Sequence, residues 1–249
     1  MVRVAGCAER WDRIGVVPHG EWRGAVTAVV SGASVATPPG GELVWLEEAC
    51  ALVPHQPAPG STLGLRIRAY TLVVLGSDEQ LLRTLPLGGA RAADVSAWIS
   101  KQGFVGRPAG DFPDAPPHVL LENVDRTLSN VHHTIGRVVD RTQGASAVRT
   151  VPETLATVAT IRLGSRQGES PRVIELGFTP APGQGEIFVR SKSGSRDERV
   201  WRIGMDQVAG MSDVDAQATV VERFLHDSLE EAYDELNRQW QSRRPSSPP

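Results

Sequence analysis

The chain has 249 residues, of which 40% are hydrophobic and 22% are charged, and its formal net charge is −3. This composition is typical of a folded globular protein and argues against a disordered chain. The charges form no basic stripe that would bind a nucleic-acid backbone, and no apolar run approaches the roughly 18 residues of a membrane helix. We therefore predict a cytoplasmic protein that binds neither nucleic acid nor membrane.

The two cysteines, Cys7 and Cys50, are too few for a disulfide framework or a cysteine-only zinc site. A single bridge between them is conceivable. In a cytoplasmic protein we expect both to be reduced thiols, because disulfides persist mainly in oxidising compartments.

Residues 1–105 are rich in Gly, Pro, Val and Thr, and short β-like runs alternate there with turn residues. Residues 90–102 have the pattern of one helix. The segment as a whole is predicted to be a mostly-β domain, a small barrel or sandwich closed by that helix. The runs predicted to be strands are 21–30 (EWRGAVTAVV), 42–48 (ELVWLEE), 63–76 (LGLRIRAYTLVVLG) and 81–87 (LLRTLPL).

The segment 106–117 (GRPAGDFPDAPP) contains four prolines and two glycines. Such a stretch cannot continue a helix or a central strand, because proline lacks the backbone N–H that both require. We predict that it is a linker between two domains.

Residues 118–242 are predicted to form a second domain of helix, four strands and helix, with an antiparallel sheet. Its two helices, at 118–143 and 213–241, carry apolar residues at alternating spacings of three and four, which marks one buried face. Residues 243–249 are predicted to be a disordered tail. The fold class is therefore α+β. The predicted strands of this domain are 155–163, 172–178, 186–192 and 199–205.

Three residues near the start of the first of these helices have the side chains and the spacing of metal ligands. His118 and Glu122 are four residues apart on one helical face, and Asp114 lies just upstream. Each also has an ordinary explanation, because Asp114 can cap the helix and Glu122 can pair with Arg126 at i,i+4. We predict no metal site and keep the three residues as the candidates for one.

His132 and His133 are adjacent in the same predicted helix. Adjacent helical residues point about 100° apart, so the two rings cannot bind one ion in regular geometry. The apolar stripe places His132 at the edge of the core and His133 toward solvent. We predict that the pair is a surface feature.

No catalytic motif stands out in the sequence. There is no nucleophile elbow, no Ser-x-x-Lys pair and no phosphate-binding loop, so we predict no cofactor and favour a protein that is not an enzyme. The first hypothesis is a non-catalytic interaction or regulatory protein that acts through its long amphipathic helices, with another protein or a second copy as partner. Its candidate contact residues are Leu121, Leu128, Ile135, Val221, Leu225 and Leu229.

The alternative hypothesis is a small-molecule-binding protein or an unrecognised enzyme with an apolar pocket in residues 118–242. A small apolar ligand would then lie between the helices and the curved sheet. The same residues are equally suited to an ordinary core. The candidate pocket residues are Phe178, Phe188, Trp201 and Met205.

Overall fold

A computed structural model describes residues 11–38, 40–57, 60–106, 108–163, 171–193 and 197–242 of the chain. Two helix–sheet–helix halves follow each other. The elements of the first half are α1 (His19–Ala36), β1 (Leu43–Leu46), β2 (Ala51–Pro54), β3 (Ser61–Arg66), β4 (Thr71–Gly76), β5 (Leu81–Pro86) and α2 (Ala92–Lys101). Those of the second half are α3 (His118–Val139), β6 (Arg149–Thr150), β7 (Thr157–Leu163), β8 (Arg172–Thr179), β9 (Glu186–Ser193), β10 (Asp197–Gly204), α4 (Met205–Ala209) and α5 (Val214–Ser242).

The described strands form one continuous antiparallel sheet in the order β10-β9-β8-β7-β6-β1-β2-β3-β4-β5. The two halves meet where β1 pairs with β6, through the register pair Leu43 and Thr150. β5 and β10 are the two edges and do not pair with each other, so the sheet stays open. The barrel predicted for residues 1–105 is therefore not formed, because its strands continue into the strands of the second half.

The helices pack on the antiparallel sheet and form a second layer, so the protein has an α+β fold. α1 contacts β2, β3 and β4, α3 contacts β7 and β8, and α5 contacts β8, β9 and β10. Their buried side chains belong to one hydrophobic core with the inward side chains of the strands. A smaller apolar cluster, built from Ala49, Ala51, Val53, Val73 and Leu75, lies apart from it in the first half.

The strand predicted at 21–30 is wrong, because this stretch lies inside helix α1. The buried face of α1 consists mainly of small residues, which give a weak helical pattern beside β-branched valines. Gly32 lies where an added Cβ would come within 3 Å of the side chains of Leu65 and Leu87. The small residues therefore let α1 lie close to the sheet.

The other sequence-predicted elements are confirmed with shifted ends, including both long helices of the second half and its four strands. The run 63–76 is two strands, β3 and β4, joined by a turn. The sequence did not predict β2, β6 or α4, which have four, two and five residues. The predicted tail at 243–249 lies outside the described residues. None of the described helices is both long and apolar enough to cross a membrane.

The described residues of the predicted linker 106–117 form neither helix nor strand and lie against the first half. Phe112 is buried, and its backbone N–H donates to the carbonyl of Ala90 at 2.9 Å. Asp111 caps α2 by accepting a 2.7 Å hydrogen bond from the N–H of Ala92. The division into two domains stays a prediction.

Candidate functional site

Helices α3 and α5 pack side by side on the sheet and leave a groove between them. One end of this groove is filled by the extended residues 11–17, here called the strap, which precede α1. Among the described residues, no strap residue makes a backbone–backbone hydrogen bond. Side chains of α3, α5 and the β8–β9 connection hold the strap instead, and we call them the cradle. The cradle consists of Asn123, Arg126, Asn130, Gln184 and Gln217.

Two cradle amides each bind both backbone groups of one strap residue. The side chain of Asn130 accepts from the N–H of Asp12 at 2.9 Å and donates to its carbonyl at 2.7 Å. The side chain of Gln217 does the same for Ile14, with both distances at 3.0 Å. Gln217 also accepts from the Trp11 indole N–H at 3.2 Å. A carboxamide suits this task because it offers a donor and an acceptor side by side.

The remaining cradle side chains bind the other end of the strap. Asn123 accepts from the N–H of Gly15 at 2.8 Å. Gln184 accepts from the N–H of Val17 at 3.1 Å and donates to the carbonyl of Gly15 at 2.9 Å. Arg126 donates to the carbonyl of residue 13 at 3.1 Å. The backbone of the strap is therefore bound by side chains along its length.

Every third side chain of the strap points into the molecule. Trp11, Ile14 and Val17 are buried, whereas Arg13 is exposed and Val16 is 68% exposed. A period of three is that of an extended polyproline-II-like segment. The strap is thus anchored by apolar side chains at positions i, i+3 and i+6.

Beyond the strap the groove continues as an open cleft of about 300 Å³. It begins at Thr134, one helical turn after Asn130, and Val138 and Leu229 contribute its apolar side chains. At its border Arg137 and Glu222 form a 2.8 Å ion pair. The residues that line the cleft are Thr134, Arg137, Val138, Arg141, Thr142, Glu222, His226 and Leu229.

Helix α5, which forms one wall of the cleft, is acidic. The helix carries seven carboxylates against two arginines, in a chain whose net charge is −3. Of the seven, Glu222 lines the cleft, whereas Asp227, Glu230 and Asp234 are exposed on the side of α5 that faces away from the core. The carboxylates are Asp215, Glu222, Asp227, Glu230, Glu231, Asp234 and Glu235, and the arginines are Arg223 and Arg238.

The sequence-predicted contact residues lie mostly inside the protein. Leu121, Leu128, Ile135, Val221 and Leu225 are all buried in the main core. Leu229 is only partly buried, and it is the one of the six that lines the cleft. A partner at these helices would therefore meet Leu229 and its neighbours, because the rest of the stripe already packs on the sheet.

The sequence-predicted pocket residues do not meet around a cavity described here. Phe178 and Met205 are fully buried in the core. Phe188 lies on the other face of the sheet, under the guanidinium of Arg190 at 5.2 Å. The indole N–H of Trp201 donates to Glu231 at 2.7 Å. An apolar ligand pocket built from these four side chains has no support in this arrangement.

The three candidate metal ligands, His118, Glu122 and Asp114, have separate structural positions. His118 is the exposed first residue of α3, and Asp114 is exposed in the preceding coil. Pro117, and not Asp114, occupies the N-cap position of α3. Glu122 pairs with Arg126 at 2.8 Å, as its i,i+4 spacing predicted. No group of three potential metal-binding side chains occurs among the described residues.

A buried carboxylate links α3 to the first half of the chain. Asp125 accepts a hydrogen bond from Arg68, which follows β3, at 3.2 Å. Its second oxygen is buried, with no hydrogen-bond partner among the described residues. Burial raises the pKa of Asp125 to about 6, although the Arg68 charge acts in the opposite direction. This group lines none of the cavities described here, and the main cause of its raised pKa is burial.

His132 is buried, so the surface position predicted for it is wrong. Its Nε2 is 2.7 Å from the Thr150 hydroxyl, which in turn is 2.9 Å from the Thr157 hydroxyl. Its ring lies 6.4 Å from that of Trp45. Burial lowers the pKa of His132 to about 3, so the ring is neutral at pH 7. His132 therefore helps to join β1, β6 and α3. The neighbouring His133 is less buried, and its Nδ1 lies 3.6 Å from the Glu47 carboxylate.

Two more cavities, of about 430 and 370 Å³, lie at the junction of the two halves on the other face of the sheet. Thr150 contacts His132, so strand alternation turns Arg149 toward the face away from α3. Both cavities are lined by Glu42 and Arg149, whose side chains form a 2.7 Å ion pair. The lining of both cavities is mainly polar, and the charges of Glu42 and Arg149 neutralise each other.

Cys50 is disulfide-bonded, so the reduced state predicted for it is wrong. The other cysteine of the sequence, Cys7, lies outside the described residues.

The cradle is the part of the site that the sequence analysis missed. A signal for it exists in α3, where polar residues follow the spacing 4, 3, 4 of a second helical stripe beside the apolar one. All four members of this stripe are buried, which is unusual for polar side chains unless they have hydrogen-bond partners. They are Asn123, Thr127, Asn130 and Thr134.

A comparison of the chain with models of known protein families, with curated proteins and with solved structures finds no match.

Proposed function

We propose that the protein is a non-catalytic interaction protein that binds a basic amphipathic helix of a partner protein in the open cleft between α3 and α5. The observation that carries this proposal is the position of the cleft. It continues the groove beyond the strap, its lining is mainly apolar, and the helix that forms one of its walls carries an excess of carboxylates on its exposed side.

The floor suits an apolar anchor from a partner. Val138 and Leu229 are partly buried and stand at the edge of the main core. A volume of about 300 Å³ takes one or two aliphatic side chains of the partner. Protein interfaces draw most of their binding energy from a few such anchors that are enclosed by a polar rim.

We expect the exposed side of α5 to select the charge of the partner. Asp227, Glu230 and Asp234 lie there, outside the residues that line the cleft. A helix that places leucines on the floor and lysines or arginines along α5 satisfies both features. The attraction is between exposed charges, so salt weakens it.

The described groups with shifted pKa values are not gathered into one site. Tyr70, Asp125, His132 and Tyr233 have pKa values that are shifted mainly by burial, and none of them lines a cavity described here. The alternative hypothesis of a ligand-binding protein or enzyme needs convergent polar groups around an apolar pocket. The residues considered for that pocket contribute to the core or to the sheet surface instead.

The test uses a fluorescent amphipathic peptide of leucine and lysine, titrated with the full-length protein and followed by anisotropy. We expect binding that Leu229→Asp weakens about tenfold, because a charge on the floor excludes the apolar anchor. Reversing two charges on the exposed side of α5, with Asp227→Lys and Glu230→Lys together, is expected to weaken binding by a similar factor and to flatten its salt dependence.

The matched control is Leu82→Asp, which places the same charge at an exposed leucine of β5, far from α3 and α5 along the sheet order. We expect this variant to bind the peptide as the wild type does. No loss in Leu229→Asp would show that the peptide does not bind at the cleft and would overturn the proposal. An equal loss in both aspartate variants would overturn it as well, because the effect would then not be specific to the cleft.

A further inference from the structure

We infer that the larger of the two cavities at the junction of the halves binds a small organic anion that carries a carboxylate or a phosphate group. This cavity, here called the junction cavity, has a volume of about 430 Å³ and lies on the face of the sheet away from α3. Its ligand is independent of the partner helix proposed for the cleft between α3 and α5, because the two sites lie on opposite faces of the sheet.

The junction cavity lies beside the short strand β6, where the two halves of the sheet meet. β6 pairs with β7 through two register pairs, in one of which Arg149 lies opposite Val158. Because side chains alternate along a strand, Thr160 and Arg162 of β7 are on the same face as Val158. The segment that precedes β6 bridges to β7 at Ala145. The outward side chains of β6 and β7 therefore line one shared space.

The described lining of the junction cavity carries an excess positive charge. Two arginines and one carboxylate line it, and Arg149 and Glu42 form a 2.7 Å ion pair. The other arginine, Arg162, is exposed and makes neither an ion pair nor a side-chain hydrogen bond with a described residue. A site of this charge, in a chain with a formal net charge of −3, attracts an anion rather than a cation.

The lining also has donors that suit the oxygens of a carboxylate or a phosphate. Arg149 donates through Nη1 to Glu42, and its Nε is buried with no partner among the described residues. The Thr160 hydroxyl lines the same cavity and makes no hydrogen bond with a described residue. Arginine binds such oxygens through several N–H groups at once, and an unpaired buried donor costs free energy. A ligand with such oxygens therefore matches the lining.

The size of the junction cavity limits its ligand to a small molecule. A volume of about 430 Å³ is within the range of small-molecule sites. Val151 and Val158 contribute aliphatic surface to a lining that is otherwise mainly polar. The cavity therefore fits a short carbon chain with one or two charged groups, such as a dicarboxylate or a phosphate monoester.

The test is isothermal titration calorimetry of the full-length protein with sodium succinate and with sodium phosphate, at constant ionic strength. We expect saturable binding of at least one of them, and the tighter one tells whether the carboxylate or the phosphate group is preferred. Arg162→Gln should weaken that binding about tenfold, because it removes the arginine that has no described partner. No saturable binding of either anion would overturn the inference.

The matched control is Arg83→Gln, which makes the same change at an exposed arginine of β5, at the far edge of the sheet. We expect this variant to bind as the wild type does. Equal weakening in Arg83→Gln and Arg162→Gln would show general charge attraction and would contradict a site at the junction.

Glu42→Gln provides a test that a purely structural role would not pass. It removes the carboxylate that competes with the ligand for Arg149, so we expect binding to become about threefold tighter. Weaker binding by this variant, with its thermal unfolding unchanged, would contradict the role given to Arg149.

Methyl NMR of the wild type locates the anion without any substitution. Titration with the tighter of the two anions should shift the methyl signals of Val151 and Val158 and leave those of Val138 and Leu229 unchanged. Shifts at Val138 and Leu229 alone would place the anion in the cleft and overturn the inference. The leucine–lysine peptide reports on the cleft separately, so either proposal can fail without the other.

Discussion

Helix α1 and helix α3 hold equivalent places in the two halves, because each precedes a meander of five strands. Each helix also begins at a histidine that follows a proline, at Pro18-His19 and Pro117-His118. Their packing differs. The buried face of α1 is mostly alanine, glycine and valine, whereas that of α3 includes Leu120, Leu121, Leu128 and Ile135. The first half therefore gains contact by close approach of backbone, and the second half by the size of its side chains.

The extended segments that precede these two helices differ in the same way. Before α3, Phe112 and Pro113 lie against the first half through backbone bonds to Ala90 and Gly89. Before α1, the strap lies against the second half through side-chain amides. Each segment crosses to the opposite half, but only the strap occupies a site built from side chains. This difference places the candidate interaction site in the second half.

The largest expected effect compares the two helices directly. Leu128→Ala in α3 should lower the free energy of unfolding by about 2–5 kcal/mol, since it removes a fully buried aliphatic side chain. Ala28→Gly in α1, which is equally buried, should cost only about 1 kcal/mol, mainly through helix propensity. Urea unfolding of both variants measures the two values. Similar losses at the two positions would contradict the difference in packing.

The contact between Arg68 and Asp125 joins the two halves, but the burial of the Asp125 carboxylate lowers the stability of the protein at neutral pH. The pKa of Asp125 is about 6 in the folded protein, above its unfolded value of about 3.9, so the folded state binds the proton more tightly. Stability from this group is greatest below pH 4 and is lost as the pH rises through 6. Asp125→Asn should therefore raise the free energy of unfolding at pH 7 by up to about 3 kcal/mol and have little effect at pH 4. An equal gain at both pH values would rule out this explanation.

Each meander has a glycine in its third strand, and substitution of these two glycines compares the packing of the two halves of the sheet. An added Cβ would lie 2.9 Å from the Leu52 carbonyl oxygen at Gly64, and 2.6 Å from the Thr157 carbonyl oxygen at Gly177. Gly64→Ala and Gly177→Ala should each cost about 1–3 kcal/mol, because the obstacle is backbone of the neighbouring strand. Thermal unfolding measures both. A neutral result at only one of the two glycines would show that the halves do not share this close approach.

The last expected effect appears only at acidic pH and lies at the junction of the halves. His132 is neutral in the folded protein, with a pKa of about 3, whereas its unfolded pKa is about 6.5. Stability from this group is fully present above pH 6.5 and is lost as the pH falls, by about 2 kcal/mol at pH 5. His132→Gln should remove this loss. Unfolding curves at pH 7 and pH 5 compare the variant with the wild type, and an unchanged difference between the two pH values would contradict a buried neutral ring.

Most of the second half was predictable from sequence, because its long helices carry large apolar residues at regular spacing and its strands β7 to β10 are seven or eight residues long. α1 was not, because a helix that packs through alanine and glycine has little hydrophobic contrast between its faces. The continuity of the sheet depends on β6, whose two residues, Arg149 and Thr150, are too few for a periodic signal. The barrel prediction failed for this reason.

The site was only partly predictable. The stripe that includes Leu229 identified the two helices, but the same spacing could not distinguish residues that pack on the sheet from residues that line the cleft. The cradle depends on contacts between residues such as Asp12 and Asn130, which are 118 positions apart. No local pattern reports such a pairing, although the buried polar stripe of α3 was visible.

The most direct test of the interaction site is methyl NMR of the full-length protein during titration with the leucine–lysine peptide. The account predicts saturable shifts of the methyl signals of Val138 and Leu229, with no change at Leu82 or at Val158 on the opposite face of the sheet. Shifts centred on Val158 would move the binding surface to the junction cavities, and shifts spread evenly over all four residues would contradict a specific cleft between α3 and α5.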